Sequence, residues 1–172
     1  MTVRLEPLKV ADAAEMTEVL SAPELYAVTG GSPPTVEQLS AQYERQVGGR
    51  SADGRERWLN WVVRVDGAAV GYVQATVHDG IRAAVAWVIG AHWQGHGYAT
   101  AAGRAMLGEL RALGVQRVEA SIAPGHSASE VVATRLGLRP TGERDADGEQ
   151  LWSSANRPDS EQAVRVDVTR KQ

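Results

Sequence analysis

The residues with the sharpest chemical signal stand together at Trp93-Gln94-Gly95-His96-Gly97-Tyr98-Ala99-Thr100. An almost continuous apolar run, Ala83 to Gly90, precedes them, and helical spacing begins at residue 99. Glycines at such a strand-to-helix junction let the backbone approach a ligand closely. They also leave several N–H groups pointing one way at the positive end of a helix. Those donors make an anion site, most naturally for a phosphate or pyrophosphate. A bare glycine-rich turn has the same spacing, so the loop alone does not fix the ligand.

Two phosphate-binding patterns fit poorly. A Walker loop needs a Gly-Lys pair, and the chain has none. A dinucleotide fold opens on strand, GxGxxG and helix. Here the loop comes late, after three expected antiparallel strands, and Thr100 stands at the third glycine position. Glu119 falls near the spacing of a ribose-binding acid, but the rest of the pattern speaks against a nicotinamide enzyme.

The elements that must position this loop can be read in order. Residues 2–6 alternate as a short strand. Ala13, Met16, Val19 and Leu20 have helical spacing, with Asp12 as the expected cap. After a loop at 29–34, Thr35 caps a helix to about Val47, with Gln38 at the capping-box position. Residues 48–57 are a polar loop. Asn60–Val65 and Ala69–Val77 flank Asp66-Gly67, a strong hairpin signal. His78-Asp79-Gly80 makes a second turn, and Ala83–Gly90 reads as a central strand buried on both faces.

Beyond the 92–98 loop, residues 99–113 form an amphipathic helix through Ala102, Met106, Leu110 and Leu113, closed by Gly114. Val115–Ile122 is a strand, Pro124-Gly125 a turn, and 127–136 a helix ended by Gly137. Arg139–Arg144 and Gln150–Ser153 make a hairpin across Asp147-Gly148. Val164, Val166 and Val168 alternate as a last strand. An antiparallel half joined to a strand–helix–strand crossover is an α+β architecture around one mixed sheet.

Composition narrows the classes. The 172 residues include no cysteine and no phenylalanine. This excludes a disulfide framework, a thiolate metal site and a cysteine nucleophile. A net charge of −3 gives no footprint for nucleic acid or an anionic membrane. No apolar run reaches the roughly 18 residues of a membrane span, and the N-terminus has no apolar signal core. A cytoplasmic chain forming one domain over 1–172 is the expectation, with no metal, nucleic-acid or membrane partner.

The arrangement Gln94-x-x-Gly97-x-Ala99 matches the [Q/R]-x-x-G-x-[G/A] acetyl-CoA signature of the GNAT N-acetyltransferase superfamily. The stretch from Ala86 to Glu143 resembles the branch that acetylates N-terminal amines of ribosomal proteins. Ser129, Leu136-Gly137-Leu138 and Gly142 fall into that branch's pattern. The PLKVADAAEM and SPPTVEQL segments resemble it too, so the similarity covers residues 3–153. His126 replaces the branch's asparagine, and Leu138 replaces its phenylalanine.

The resemblance implies the GNAT fold, a mixed, mostly antiparallel central sheet flanked by helices on both faces. It implies acetyl-CoA as acyl donor and an amine acceptor that attacks the thioester directly, in a monomer or homodimer. An N–H near Val88 or Ile89 would hold the oxyanion. Gln94, Gly95, His96, Gly97, Tyr98, Ala99 and Thr100 would hold the phosphates, and His126 would contact CoA. Ser129 would protonate the leaving thiolate, or instead order CoA or cap its helix. Glu149, Glu119 and His92 are candidate bases; the alternatives are an exposed hairpin glutamate for Glu149, a pair on the sheet surface for Glu119 and a solvated loop histidine for His92. Arg135 would sit near the adenosine phosphate, or complement its helix dipole. A non-catalytic acyl-CoA sensor on the same fold is the alternative.

Overall fold

Asp66-Gly67 sets the pairing at the centre of the sheet. Both residues have positive φ, 49° and 90°, as in the two-residue turn whose twist matches its flanking strands. It joins β2 (Glu56–Val65) to β3 (Ala68–His78). Asp79-Gly80, at 53° and 73°, joins β3 to β4 (Arg82–Ile89). Side chains alternate across a strand, and β3 follows that rule. Val73, Ala75 and Val77 are buried on one face, while Tyr72, Gln74 and Thr76 are half-buried on the other.

The computed structural model describes residues 1–154. β1 (Val3–Pro7) lies antiparallel along β2. β5 (Arg117–Ile122) runs parallel to β4. β6 (Arg139–Arg144) and β7 (Gln150–Ser153) form the last hairpin. The seven strands are ordered β1-β2-β3-β4-β5-β7-β6. This is the mixed, mostly antiparallel sheet expected. The strand expected around Val164–Val168 lies outside the described residues.

Helices cover both faces. α1 (Ala13–Val19) and α2 (Val36–Gln46) pack on one side. Their Met16, Leu39 and Tyr43 meet Val62 and Ala69 of the sheet. α3 (Tyr98–Ala112) and α4 (Ser127–Arg135) pack on the other. Ala102, Met106 and Leu110 of α3 are fully buried against Val63, Val73 and Val85. Fully burying a Met or Leu side chain contributes about 1.5–3 kcal/mol. α3 and α4 meet closely at Gly103, where a Cβ would come within 2.7 Å of Leu136.

Local chemistry places the ends. Thr35 accepts from the Gln38 N–H and Gln38 answers from its side chain, the expected capping box on α2. Asp12 does not cap α1. Its carboxylate turns back to the Lys9 N–H at 2.8 Å and to Arg64. Arg64 also pairs with Glu6 and Glu15, tying α1 to β1 and β2. Gly114 has φ +89°, and the Val115 N–H bonds back to Leu110 O. That closing turn delays β5 until Arg117.

Two expectations change. β2 starts at Glu56, inside the expected 48–57 loop, because Glu56–Trp58 pair with Thr76–His78. β4 is buried on one face rather than two. Ala83, Val85 and Ile89 point into the α3 core, whereas Ala84 is exposed and Ala86 and Val88 are half-buried. Small alanines leave that face open, and the strand's far half borders a groove.

Gly71 faces Val88 so closely that a Cβ would lie 2.1 Å from its carbonyl oxygen and 2.9 Å from Ile89 Cα. Both contacts are backbone, which cannot rotate away. Gly71→Ala is therefore expected to lower stability by about 1–3 kcal/mol, read from the urea midpoint at unchanged m-value.

Candidate active site

β4 and β5 pair at only three positions, Arg82 with Arg117, Ala83 with Val118 and Ala84 with Glu119. The strands then part. β4 remains bonded to β3 on its other edge as far as Ile89. From Val85 onward its groups that point away from β3 have no strand partner. β5 after Glu119 pairs only with β7, across its far edge. A wedge-shaped cavity of about 600 Å³ opens between them, lined by Val85–Ile89 and Ala120–Ala123. Such a slot offers an extended ligand two rows of backbone donors and acceptors.

The glycine-rich loop closes one end. Gly95 and Gly97 have φ of +81° and +79°, which glycine adopts without a Cβ penalty. Gly97 is the N-cap of α3, and Ala101 N–H to Gly97 O is the first helical bond. The N–H groups of Tyr98, Ala99 and Thr100 precede it and lack an intrahelical acceptor. Nothing lies within 4 Å of the ideal Cβ position at either glycine, so an anion can reach those donors. The loop, the α3 N-terminus and the cavity are continuous, since Gln94, Gly95, Gly97, Tyr98, Ala99 and Thr100 all line it.

The other residues singled out in the sequence divide. Val88, Ile89, His126, Ser129, Arg135 and Glu149 line the cavity. Gln94 also has an internal task, donating its amide to Ile89 O at 3.0 Å. His96 is not in the lining. Its Nδ1 lies 2.9 Å from Gln94 O, and its ring stacks on Tyr98 at 5.4 Å. These contacts lie within the loop itself. Glu119 is also outside the lining, because it stands on β5 where β4 is still paired. There it bonds Arg117 at 2.7 Å. His92 is exposed and outside the lining. Among the described residues no cluster could hold a metal ion.

His126 has a defined structural role. Its Nδ1 accepts from the Ser129 N–H at 3.1 Å and so caps α4. An asparagine there can do the same work. His126→Ala should lower stability by about 1 kcal/mol, and His126→Asn should restore it, as read by chemical denaturation.

Glu24 was missed by the sequence reading. It lines the cavity from the short 3-10 turn Pro23–Tyr26, beside Leu25, Val28 and Thr29. No motif marks this turn, and only Pro23 at its first position hints at it. Glu24 and Glu149 thus border one cavity from different parts of the chain.

β4 and β5 thus part beside a glycine-rich loop that opens α3. A model of the GNAT acetyltransferase domain matches residues 2–139. The chain belongs to the GNAT acetyltransferase family. Its structure is similar to that of AAC(6')-Ib in complex with paromomycin and acetyl-CoA, at TM-score 0.74 and 20% identity over 89% of this chain and 92% of that one. It is also similar to RimJ of Mycobacterium smegmatis in complex with CoA-disulfide, at TM-score 0.73 and 23% identity over 88% and 80%. The Microcin C7 self-immunity acetyltransferase MccE, in complex with acetyl-CoA and AMP, gives TM-score 0.74 and 15% identity over 90% and 92%. No curated protein matches the chain by sequence. No helix among the described residues is long and apolar enough to cross a membrane.

Proposed function

We propose that the chain transfers the acetyl group of acetyl-CoA directly to a primary amine bound in the same groove. The observation that carries this reading is the parting of β4 from β5 immediately before the Gly95–Gly97 loop. It supplies a backbone-lined slot for the pantetheine arm and an anion site for the pyrophosphate. The acceptor is a protein N-terminus, as the residues 3–153 resemblance suggests, or a small-molecule amine such as an amino acid or aminoglycoside.

The chain's residues then have definite roles. An N–H of β4 near Val88 or Ile89 stabilises the oxyanion as the amine nitrogen attacks the thioester carbon. The C–S bond breaks and CoA leaves as a thiolate, which with a pKa near 8.5 is a fair leaving group. Glu149 takes the ammonium proton. Glu149 lines the cavity. Ser129, on the first turn of α4, either returns a proton to sulfur or orders the CoA chain. Arg135 takes the adenosine phosphate. The chain has no cysteine, so an acyl-cysteine intermediate cannot form.

The test is a thermal shift with acetyl-CoA, CoA and NADH, followed by thiol release with a panel of amines. Stabilisation by acetyl-CoA and CoA, with thiol release that depends on amine, is expected. Binding without release for any amine would convert the reading to a sensor. Stabilisation by NADH alone would refute it.

A further inference from the structure

A second cavity, of about 220 Å³, lies between α2, the 3-10 turn and strands β2 and β3. Neither the sequence motifs nor the acyl-transfer roles use it. We propose that this cavity receives an uncharged aromatic group carried next to the reacting amine, so that the acceptor is an arylalkylamine or a chain beginning with an aromatic residue. The inference rests on the proposed function and names its acceptor class.

Tyr72 and Gln74 line the second cavity. Their register partners on β4 are Val88 and Ala86, which line the acyl groove. Neighbouring strands lie about 5 Å apart. That distance is close to the span between an amine and a ring two or three bonds away. Leu25 borders the groove and Tyr26, the next residue, borders the cavity. One acceptor can therefore reach both.

Liquid water takes about 30 Å³ per molecule, so 220 Å³ holds one side group and not a multi-ring sugar. Tyr26, Tyr43, Trp61 and Tyr72 supply flat apolar walls that suit a ring. Gln42, Gln46, Asn60 and Gln74 supply neutral donors and acceptors at the edge. No Asp, Glu, Lys, Arg or His is in the lining. Burial raises the hydroxyls of Tyr43, Tyr72 and Tyr26 above their ordinary range, so they stay neutral donors. A cationic group would find no counter-charge there, and burying an unpaired charge is costly.

The test compares kcat/KM for tyramine, a Tyr-Ala-Ala peptide, glycinamide, cadaverine and kanamycin. Tyramine, the peptide or both should exceed glycinamide and cadaverine at least tenfold, in line with a filled against an empty apolar pocket. The better of the two tells a small amine from a chain terminus. Gln42→Glu changes an exposed α2 side chain at the rim. It should move the tyramine-to-cadaverine ratio about tenfold toward cadaverine, with acetyl-CoA thermal stabilisation unchanged. Glycinamide, cadaverine or kanamycin used as well as tyramine and the peptide, or a ratio unmoved by Gln42→Glu, would overturn the inference. If no amine is acetylated, the proposed function fails. Calorimetric titration of tyramine into CoA-saturated protein then decides the cavity separately. Binding weakened by Gln42→Glu would support it, and no binding would overturn it.

Discussion

Gly97→Asp should weaken acetyl-CoA binding on the order of 100-fold while the protein stays folded. Asp tolerates the left-handed backbone that Gly97 adopts at φ +79°. The ideal Cβ position there is open, with nothing within 4 Å. An aspartate at this N-cap can also accept from the free N–H groups of the first turn and favour the positive helix end. It therefore satisfies α3 by taking the donors assigned to the phosphates in the proposed site, and it sets a negative charge there. Losing two charge-assisted hydrogen bonds at about 1.5 kcal/mol each gives the stated factor. Calorimetric titration with acetyl-CoA reads the affinity, and a thermal melt without ligand reads the fold. Binding unchanged in a folded Gly97→Asp protein would remove the anion-loop assignment.

The second large effect is expected at Glu149. Glu149→Gln keeps the shape of the side chain and removes its ability to take a proton. A positioned base contributes on the order of 10²–10⁴ in rate, so kcat should fall by about that factor. The KM for acetyl-CoA should move little, because the proposed role sets the carboxylate on the amine. Glu149 is part of the last hairpin, where its N–H donates to Asp145 at 2.9 Å, so its backbone is held independently of its carboxylate. Glu24→Gln is the matched control from the 3-10 turn. A large loss in Glu24→Gln with none in Glu149→Gln would transfer the proton-accepting role to that turn.

The parts of the fold that could be read in the sequence share a cause. Asp66-Gly67, Thr35 with Gln38, and Gly114 each fix local backbone geometry by local chemistry. The loop at Gly95–Gly97 belongs to the same class. The misreadings are all tertiary. Asp12 has a good cap residue's side chain, but Arg64, fifty-two residues away in sequence, competes for it. The β4 run looks like a strand buried on two sides, yet β5 diverges after Ala84 and leaves it beside a groove. Glu119 is not one of these: its alternation leaves open a site-facing or a sheet-paired carboxylate, and the register sets it before the divergence, next to Arg117. Glu24 and the second cavity carry no motif because a short turn, a helix and two strands build them together. Pairing registers decide these cases, and a single sequence shows registers only near its turns.

Initial-rate kinetics with acetyl-CoA and an accepted amine varied together test the central claim most directly. Direct transfer in one groove requires both substrates bound at once. The double-reciprocal lines should intersect, and protein incubated with acetyl-CoA alone should carry no acetyl group by intact mass. Parallel lines, together with an acetylated protein that passes its acetyl to the amine, would contradict the account.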